Sequence, residues 1–136
     1  MGEVRVQARV NPTEDLEKVK KAIENIFSDL EFGEKRLSQG TLLMGHSGDL
    51  ESLSRFGDVL RRERIRDAAR SVLFKGLRGN TVKFCLNKQV AYAGHVSFCE
   101  QVGESPLGPL EVEIDCDDPS KLINWLAPRT RRKTKA

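Results

Sequence analysis

Aromatic residues, cysteines and histidines are scarce in this sequence. Its 136 residues include one tryptophan, one tyrosine, three cysteines and two histidines. The cysteines, which are Cys85, Cys99 and Cys116, are odd in number and lack a CxxC spacing, so we expect reduced packing residues and no disulfide framework. A zinc site built on His46 and His95 would need ligands from distant segments, so no metal cofactor is expected.

Long apolar runs and catalytic motifs are also absent. No stretch approaches the roughly 20 apolar residues that a membrane span needs, and the N-terminal MGEVRVQARV enters a strand pattern without the apolar core of a signal peptide. The sequence contains no Walker loop, nucleophile elbow or His-rich motif. We therefore expect a cytoplasmic protein that binds no membrane, needs no cofactor and is not an enzyme.

The basic charge is concentrated at the C-terminus. The net charge is +3, and removing the five basic residues after Pro128 leaves 18 basic against 20 acidic residues. These five are Arg129, Arg131, Arg132, Lys133 and Lys135. We predict that residues 129–136 form a disordered tail, which a polyanion could order.

Hydrophobic periodicity predicts a single α+β domain over residues 1–128. Alternation typical of strands covers residues 4–10, 34–37, 40–46, 81–86, 90–98 and 110–116. Helical spacing covers residues 16–30, with Asn11 as the predicted cap, and also 50–60, 65–72 and 119–126. Residues 65–72 either continue the preceding helix with a bend or form a second helix. Because strands and helices do not alternate regularly, we predict an antiparallel or mixed sheet with helices on one face.

Residues 81–98 are predicted to form the central hairpin of this sheet. Asn87, Lys88 and Gln89 form a short polar reversal between two alternating runs, which would expose all three side chains. Tyr92 has the same parity as the apolar residues of the second run and is predicted to lie in the core. His95 is predicted to be a surface residue of that strand.

The second basic cluster precedes this hairpin. Arg62, Arg66 and Arg70 recur every four residues, so on a continuous helix they form one row that could follow phosphate groups. The alternative is a solvated helix face paired with Glu63 and Asp67. The candidate RNA contacts are Arg61, Arg62, Arg64, Arg66 and Arg70 of this helix, Asn87, Lys88 and Gln89 of the turn, and Arg129, Arg131, Arg132 and Lys133 of the tail.

Two other function classes remain open. Acidic residues dominate the segment 99–128. A protein-interaction subunit could use its basic face to bind a partner's negative face, or two copies could associate head to tail, with the acidic strand near Glu111 to Asp117 as the complementary surface. A metal-dependent nuclease would need Asp115, Asp117 and Asp118 to converge on one cation. A strand end followed by a helix cap explains these carboxylates more simply.

Several stretches resemble an uncharacterised archaeal protein family that is described as predicted RNA-binding, with a suggested association with the exosome. They are VNPTEDLEKV, LRRERIRDAAR, RGNTVKFCLNKQVAYAGHVSF, SPLGPLEVEI and INWLAP. The resemblance implies an α+β fold similar to the large-subunit ribosomal protein that contacts 5S ribosomal RNA. It also implies a non-catalytic RNA-binding role linked to RNA processing or the ribosome. It also gives weight, as RNA contacts, to Arg61, Arg62, Arg64 and Arg66 of LRRERIRDAAR and to Asn87, Lys88 and Gln89 of LNKQ.

Overall fold

All neighbouring strands of the six-stranded sheet are antiparallel. A computed structural model describes residues 2–99 and 108–128. The strands are β1 (Gly2–Val10), β2 (Glu31–Arg36), β3 (Thr41–Ser47), β4 (Leu77–Arg78), β5 (Thr81–Asn87) and β6 (Pro109–Cys116), in the sheet order β2-β3-β1-β6-β5-β4. The helices are α1 (Leu16–Ile26), α2 (Ser54–Arg62), α3 (Arg66–Lys75), α4 (Lys88–Tyr92) and α5 (Pro119–Leu126), with a 3₁₀ turn at Leu50–Leu53. The predicted α+β class is confirmed.

Alternate residues of the central strands build one side of the hydrophobic core. Val6 lies between Gly45 of β3 and Val112 of β6, and Val4 lies between Ser47 and Ile114. These side chains are buried, whereas their neighbours along β1 lie on the opposite face of the sheet. Removing apolar surface from water favours packing the helices against the buried face. The described helices thus leave a polar face of the sheet open.

Helix α1 begins at Leu16, whereas a cap at Asn11 would have made Pro12 the first residue of the helix. Asp15 is its N-cap, and the Asp15 carboxylate accepts a hydrogen bond from the Glu17 backbone N–H at 3.0 Å. Asn11 instead donates from its backbone N–H to the Glu14 carboxylate at 2.9 Å, which closes a turn before the helix. The prediction that Asn11 caps α1 is therefore wrong.

The second strand of the predicted hairpin is replaced by helix α4. Asn87 caps this helix, with its side-chain oxygen accepting from the Val90 backbone N–H at 2.9 Å. Within the described residues that follow α4, up to Cys99, a single bridge between Leu86 and Phe98 joins the chain to β5. Because α4 directs Ala91 inward, the ring of Tyr92 points outward and is 48% exposed. The prediction that Tyr92 belongs to the core is wrong.

Four phenylalanine rings join the helices to the sheet. Phe56 of α2 lies 5.5 Å from Phe27 and 5.4 Å from Phe84 of β5, measured between ring centroids. Phe98 completes the cluster with an edge contact to Phe84 at 5.9 Å. Such aromatic pairs stabilise a core beyond their buried area. The cluster fixes α2 and the segment after α4 against the same strand.

Two of the three cysteines are buried, as packing residues should be. These are Cys85 and Cys116, and burial raises the pKa of the Cys116 thiol. Cys99 is only partly buried.

Within residues 2–99 and 108–128, none of the helices combines the length and hydrophobicity that crossing a bilayer requires.

Candidate nucleic-acid interface

The arginine row of the sequence is interrupted by a turn. Helix α2 ends at Arg62 and α3 begins at Arg66, so the residues between them do not continue a helix. Arg64 has a φ of 58°, in the left-handed region that non-glycine residues seldom adopt. Residues 65–72 therefore belong to a second helix. The prediction of one continuous row through Arg62, Arg66 and Arg70 is wrong.

The end of α2 and the turn that follows it present three arginines at one corner of the molecule. Arg61, Arg62 and Arg64, which we call the basic corner, are all exposed. The side chains of Arg61 and Arg62 are each 62% exposed. Arg61 donates to the Asp58 carboxylate at 3.0 Å, and Arg62 donates to the Gly94 carbonyl at 3.1 Å. The basic corner is therefore joined to the segment that follows α4.

Glu63 anchors the turn to that same segment. Its carboxylate contacts the His95 Nδ1 atom and accepts a hydrogen bond from the Val96 backbone N–H at 3.3 Å. The Glu63 side chain is 18% exposed, whereas His95 remains 59% exposed. His95 is thus a surface residue, as predicted, but it lies outside any strand. Its partner is 32 residues away in the sequence, so sequence analysis alone did not find the contact.

Arg66 and Arg70 lie outside the basic corner. The Arg70 guanidinium donates to Asn124 at 2.5 Å and to the Ala127 carbonyl at 3.3 Å, and it lies 5.0 Å from the centroid of the Phe74 ring. These contacts hold α3 against α5. The Nε atom of Arg66 is buried. Both side chains are therefore less accessible to a phosphate than the predicted row requires.

The predicted exposed turn has a different structure. Lys88 is 4% exposed, and its ammonium donates to the Arg9 carbonyl at 2.7 Å and to Glu14 at 3.0 Å. The expectation that Lys88 is exposed is wrong, because the lysine forms an interior ion pair. Asn87 is occupied in capping α4, and of the three predicted turn residues Gln89 is the exposed one. The predicted tail contacts at Arg129, Arg131, Arg132 and Lys133 lie outside the described residues.

A second exposed surface lies where α1 packs on α4. The Asn25 side chain donates to the backbone carbonyls of Ala91 at 3.1 Å and Tyr92 at 2.9 Å. The Lys18 ammonium lies 6.0 Å from the centroid of the Tyr92 ring. Sequence analysis missed this pairing of a lysine with an exposed aromatic ring. The one signal in the sequence is that Lys18 and Asn25 are seven residues apart, a spacing that places them on the same face of a helix.

The open face of the sheet carries charges that are paired with one another. Arg5 donates to Asp115 at 2.7 Å and lies 3.1 Å from Glu113, and the Thr81 hydroxyl donates to Asp115 at 2.6 Å. The Thr81 hydrogen bond, followed by that of Arg5, lowers the pKa of Asp115, and the Asp115 hydrogen bond raises the pKa of Arg5. The carboxylates of this face are therefore partly neutralised by the protein itself.

Two of the three carboxylates that a metal-dependent nuclease would need, Asp115 and Asp118, have separate roles in the fold. Asp115 contacts Thr81 and Arg5, while Asp118 caps α5 through the Lys121 backbone N–H at 3.1 Å. Among the described residues, no group of three histidine, cysteine or acidic side chains is arranged to hold a metal ion. A strand end and a helix cap account for the positions of both residues.

Comparison with known proteins shows which family this chain belongs to. Residues 3–114 match the family model described as RNA binding. The UPF0201 protein of Sulfurisphaera tokodaii is 43% identical over 132 residues, which cover 97% of this chain and 91% of the relative. The chain belongs to the UPF0201 family. The match to the family model indicates an RNA-binding role for this UPF0201 chain.

Other UPF0201 proteins show the same extent of similarity. The protein of Thermococcus kodakarensis is 46% identical over 129 residues, covering 95% of this chain and 91% of that protein. The crystal structure of the UPF0201 protein from Methanococcus jannaschii has a TM-score of 0.84 at 39% identity and covers 95% of both chains. The expected membership in an archaeal family is confirmed, and the basic corner lies within the residues that the family model matches.

Proposed function

We propose that this protein is a non-catalytic RNA-binding protein whose main phosphate contacts come from the basic corner. The observation that supports this most strongly is the exposure of Arg61, Arg62 and Arg64 on one turn inside the matched region. A guanidinium group offers paired donors to phosphate oxygens, and binding releases counterions from the nucleic acid. Three such groups on a short turn can follow consecutive phosphates.

The turn is held in place before RNA arrives. Glu63 bonds to the segment that carries His95 and Val96, and Arg62 bonds to Gly94 of that segment. An ordered backbone reduces the entropy that is lost on binding. The ion pair between Arg61 and Asp58 is solvent-exposed, and pairs of this kind contribute little free energy. A phosphate can therefore replace Asp58 at low cost.

The test compares two double variants that remove the same number of exposed positive charges. Arg61→Ala/Arg64→Ala removes charge at the basic corner, and the control Lys35→Ala/Arg36→Ala removes it on the edge strand β2. Affinity for labelled single-stranded RNA is measured by fluorescence anisotropy at several salt concentrations. We expect the corner variant to bind at least about tenfold more weakly across RNA sequences, and the slope of log affinity against log salt concentration to fall in magnitude by about 1.4.

Three outcomes would count against the proposal. RNA that fails to bind the native chain at any salt concentration would overturn the function itself. An equal loss of affinity in both double variants would show that net charge, and not the corner, determines binding. Unchanged affinity in the corner variant would exclude the corner. Repeating the titrations with a chain that ends at Pro128 separates the contribution of the tail, whose role stays a prediction.

A protein-interaction subunit is the alternative function. Trp125 on α5 is 49% exposed, and exposed aromatic residues are enriched at protein interfaces. The charges around Arg5 on the open sheet face give this alternative less support than Trp125 does, because they already form ion pairs with one another. A homodimer or partner complex that Trp125→Ala disrupts, in a protein without RNA affinity, would support the alternative.

Finer aspects of the proposal rest on the sequence resemblance. A link to the exosome, to RNA processing or to the ribosome stays a prediction, as does the similarity of the fold to the ribosomal protein that contacts 5S RNA. The absence of catalysis, the cytoplasmic location and the involvement of protein partners are likewise predictions. Co-purification of RNA with the protein from its native host would identify which class of RNA is bound.

A further inference from the structure

A groove between α1 and α4 lies beside the residues that lead to the basic corner. Its volume is about 310 Å³, at the lower end of the range typical of small-ligand pockets. Lys18, Val19 and Ala22 of α1 form one wall, and Gln89 and Tyr92 of α4 form another. The turn at residues 13–15 closes one end. The groove thus combines an apolar floor, an exposed aromatic ring and a few polar groups.

The walls of the groove are fixed by contacts beneath and beside it. The ion pair between Lys88 and Glu14 joins α4 to the turn before α1, at 3.0 Å. Asn25 joins α1 to the end of α4 through the carbonyls of Ala91 and Tyr92. The groove is therefore preformed, which lowers the entropic cost of placing a ligand between the helices.

The polar groups of the groove do not favour a phosphate. Glu14 and Asp15 both line it, so an anion placed inside would face two carboxylates. Glu14 is already balanced by Lys88, and Asp15 caps α1. The amide of Gln89 can both donate and accept, which suits the edge of a neutral planar heterocycle. The chemistry therefore fits the base of a nucleotide better than its phosphate.

The aromatic ring supplies the remaining requirement. Tyr92 is 48% exposed, and the Lys18 ammonium lies over its ring, 6.0 Å from the centroid, so a base that stacks on that face takes the place of the flexible Lys18 side chain. Bases of single-stranded nucleic acids stack on such rings, and a nearby cation can meet the adjoining phosphate. Tyr92 precedes Gly94 by two residues, and the Gly94 carbonyl accepts from Arg62. A strand whose phosphates contact the corner can thus continue toward the groove.

We propose that this groove binds an unstacked base of single-stranded RNA, with the ring of Tyr92 as the stacking platform and Lys18 beside the adjoining phosphate. The inference rests on the RNA-binding function proposed above and specifies the class of RNA. Double-stranded RNA would not use the groove, because its bases are already stacked and paired. The protein therefore prefers single strands over a duplex of the same sequence.

The test uses the two exposed large aromatic residues of the described chain as a matched pair. Tyr92→Ala removes the platform, Tyr92→Phe retains a ring, and Trp125→Ala removes an exposed aromatic side chain from α5. Affinities for a labelled single-stranded RNA and for its duplex are measured by anisotropy. We expect Tyr92→Ala to weaken single-strand binding about tenfold, with the duplex unaffected. Tyr92→Phe and Trp125→Ala should bind single strands like the native chain.

Failure of this inference differs from failure of the proposed function. If Tyr92→Ala binds normally while Arg61→Ala/Arg64→Ala does not, the groove is excluded and the function stands. If Trp125→Ala loses as much affinity as Tyr92→Ala, a specific platform is also excluded. If the native chain binds no RNA, the function falls and the groove with it. Circular dichroism checks the fold of each variant, and Lys18→Ala and Gln89→Ala serve as second probes if Tyr92→Ala is unfolded.

Discussion

The ammonium of Lys88 lies in the protein interior and joins two distant segments. It donates to the Arg9 carbonyl of β1 and to both carboxylate oxygens of Glu14, at 2.7, 3.0 and 3.2 Å. Glu14 also accepts from the backbone N–H and the side-chain amide of Asn11, so its charge is shared among three donor groups. Burying two charges is costly, and good geometry with additional hydrogen bonds is what compensates for that cost. Lys88 therefore has a structural role beneath the α1–α4 groove.

Replacing Lys88 by methionine should destabilise the fold. Lys88→Met keeps the apolar stem but leaves Glu14 and the Arg9 carbonyl without the ammonium, so we expect a loss of about 3 kcal/mol in the free energy of unfolding. Urea denaturation measures this value. Lys21→Met, at an exposed position on α1, is the matched control and should change it by less than about 0.5 kcal/mol. Equal stabilities of the two variants would contradict the interior ion pair.

Asp115 should make part of the stability depend on pH. Its pKa lies below the ordinary value of 3.8, because the Thr81 hydroxyl and then Arg5 stabilise the carboxylate. Its contribution is therefore present above about pH 4 and is lost as the pH falls through the folded-state pKa. Because the side chain is 41% exposed, we expect Asp115→Asn to cost less than about 1 kcal/mol at neutral pH.

Denaturation of Asp115→Asn and the native chain at several pH values checks this contribution. The difference between their free energies of unfolding should narrow below the ordinary pKa of 3.8. Glu34→Gln, which alters an exposed carboxylate on β2, should differ less from the native chain at neutral pH. If the difference in the free energy of unfolding between Asp115→Asn and the native chain stays constant over the whole pH range, the lost carboxylate charge is not the cause of that difference.

At the scale of elements, the junction between α3 and the sheet depends on a glycine. The Gly76 N–H donates to the Val72 carbonyl at 3.0 Å, and the Gly76 carbonyl accepts from the Lys83 N–H at 3.1 Å. A Cβ atom at Gly76 would lie 1.9 Å from the Lys83 carbonyl oxygen. Only a residue without a side chain lets the end of α3 approach β5 this closely.

Gly76→Ala should therefore separate α3 from β5. The clash is with backbone, which cannot move aside as a flexible side chain can, so we expect a loss of about 2 kcal/mol. Gly48→Ala is the control, because a Cβ atom there would meet no atom within 4 Å. This substitution should change the free energy of unfolding by less than about 0.5 kcal/mol. Thermal unfolding of both variants measures the contrast. A Gly76→Ala variant as stable as Gly48→Ala would show that α3 can shift without cost.

The elements that sequence analysis predicted correctly are those in which one period persists over many residues. Strands β1 and β6 alternate along their whole length, so the buried face followed from the pattern. Helix α4 has five residues, little more than one turn, and the alternation of Val90, Tyr92, Val96 and Phe98 imitated a strand. The capping residue Asn87 was the only local signal of a helix.

The candidate site was predictable in composition but not in geometry. The arginine cluster is visible in the sequence, yet neither proline nor glycine marks the turn at Arg64 that divides it. The contacts of Arg70 with α5 and of Lys88 with Glu14 join residues 54 and 74 positions apart, respectively. Local patterns carry no information about such pairs. The prediction from the sequence therefore overestimated how many of the basic residues are exposed.

At the scale of the whole molecule, the two faces of the sheet differ in their electrostatics. The helical side carries the basic corner and the groove beside Tyr92, joined by the hydrogen bond from Arg62 to Gly94. On the open face Arg5 is paired with acidic residues, and Lys83 lies opposite Glu113. The three exposed arginines of the basic corner outnumber their acidic neighbours, Asp58 and Glu63. An exposed aromatic ring and an excess of positive charge favour RNA, whereas carboxylates near a phosphate disfavour it. RNA should therefore contact the helical side.

Hydrogen exchange with and without single-stranded RNA tests this division. We expect slower exchange in residues 61–65 and 88–96, which contain the basic corner and α4, and unchanged exchange in β1 and β6. Lys83→Ala should leave RNA affinity within about twofold of the native value, because Glu113 opposes its charge. Protection confined to β1 and β6, together with loss of binding in Lys83→Ala, would move the interface to the open face. It would also leave the basic corner with a purely structural role, in which Arg62 and Glu63 hold the segment after α4 against α2.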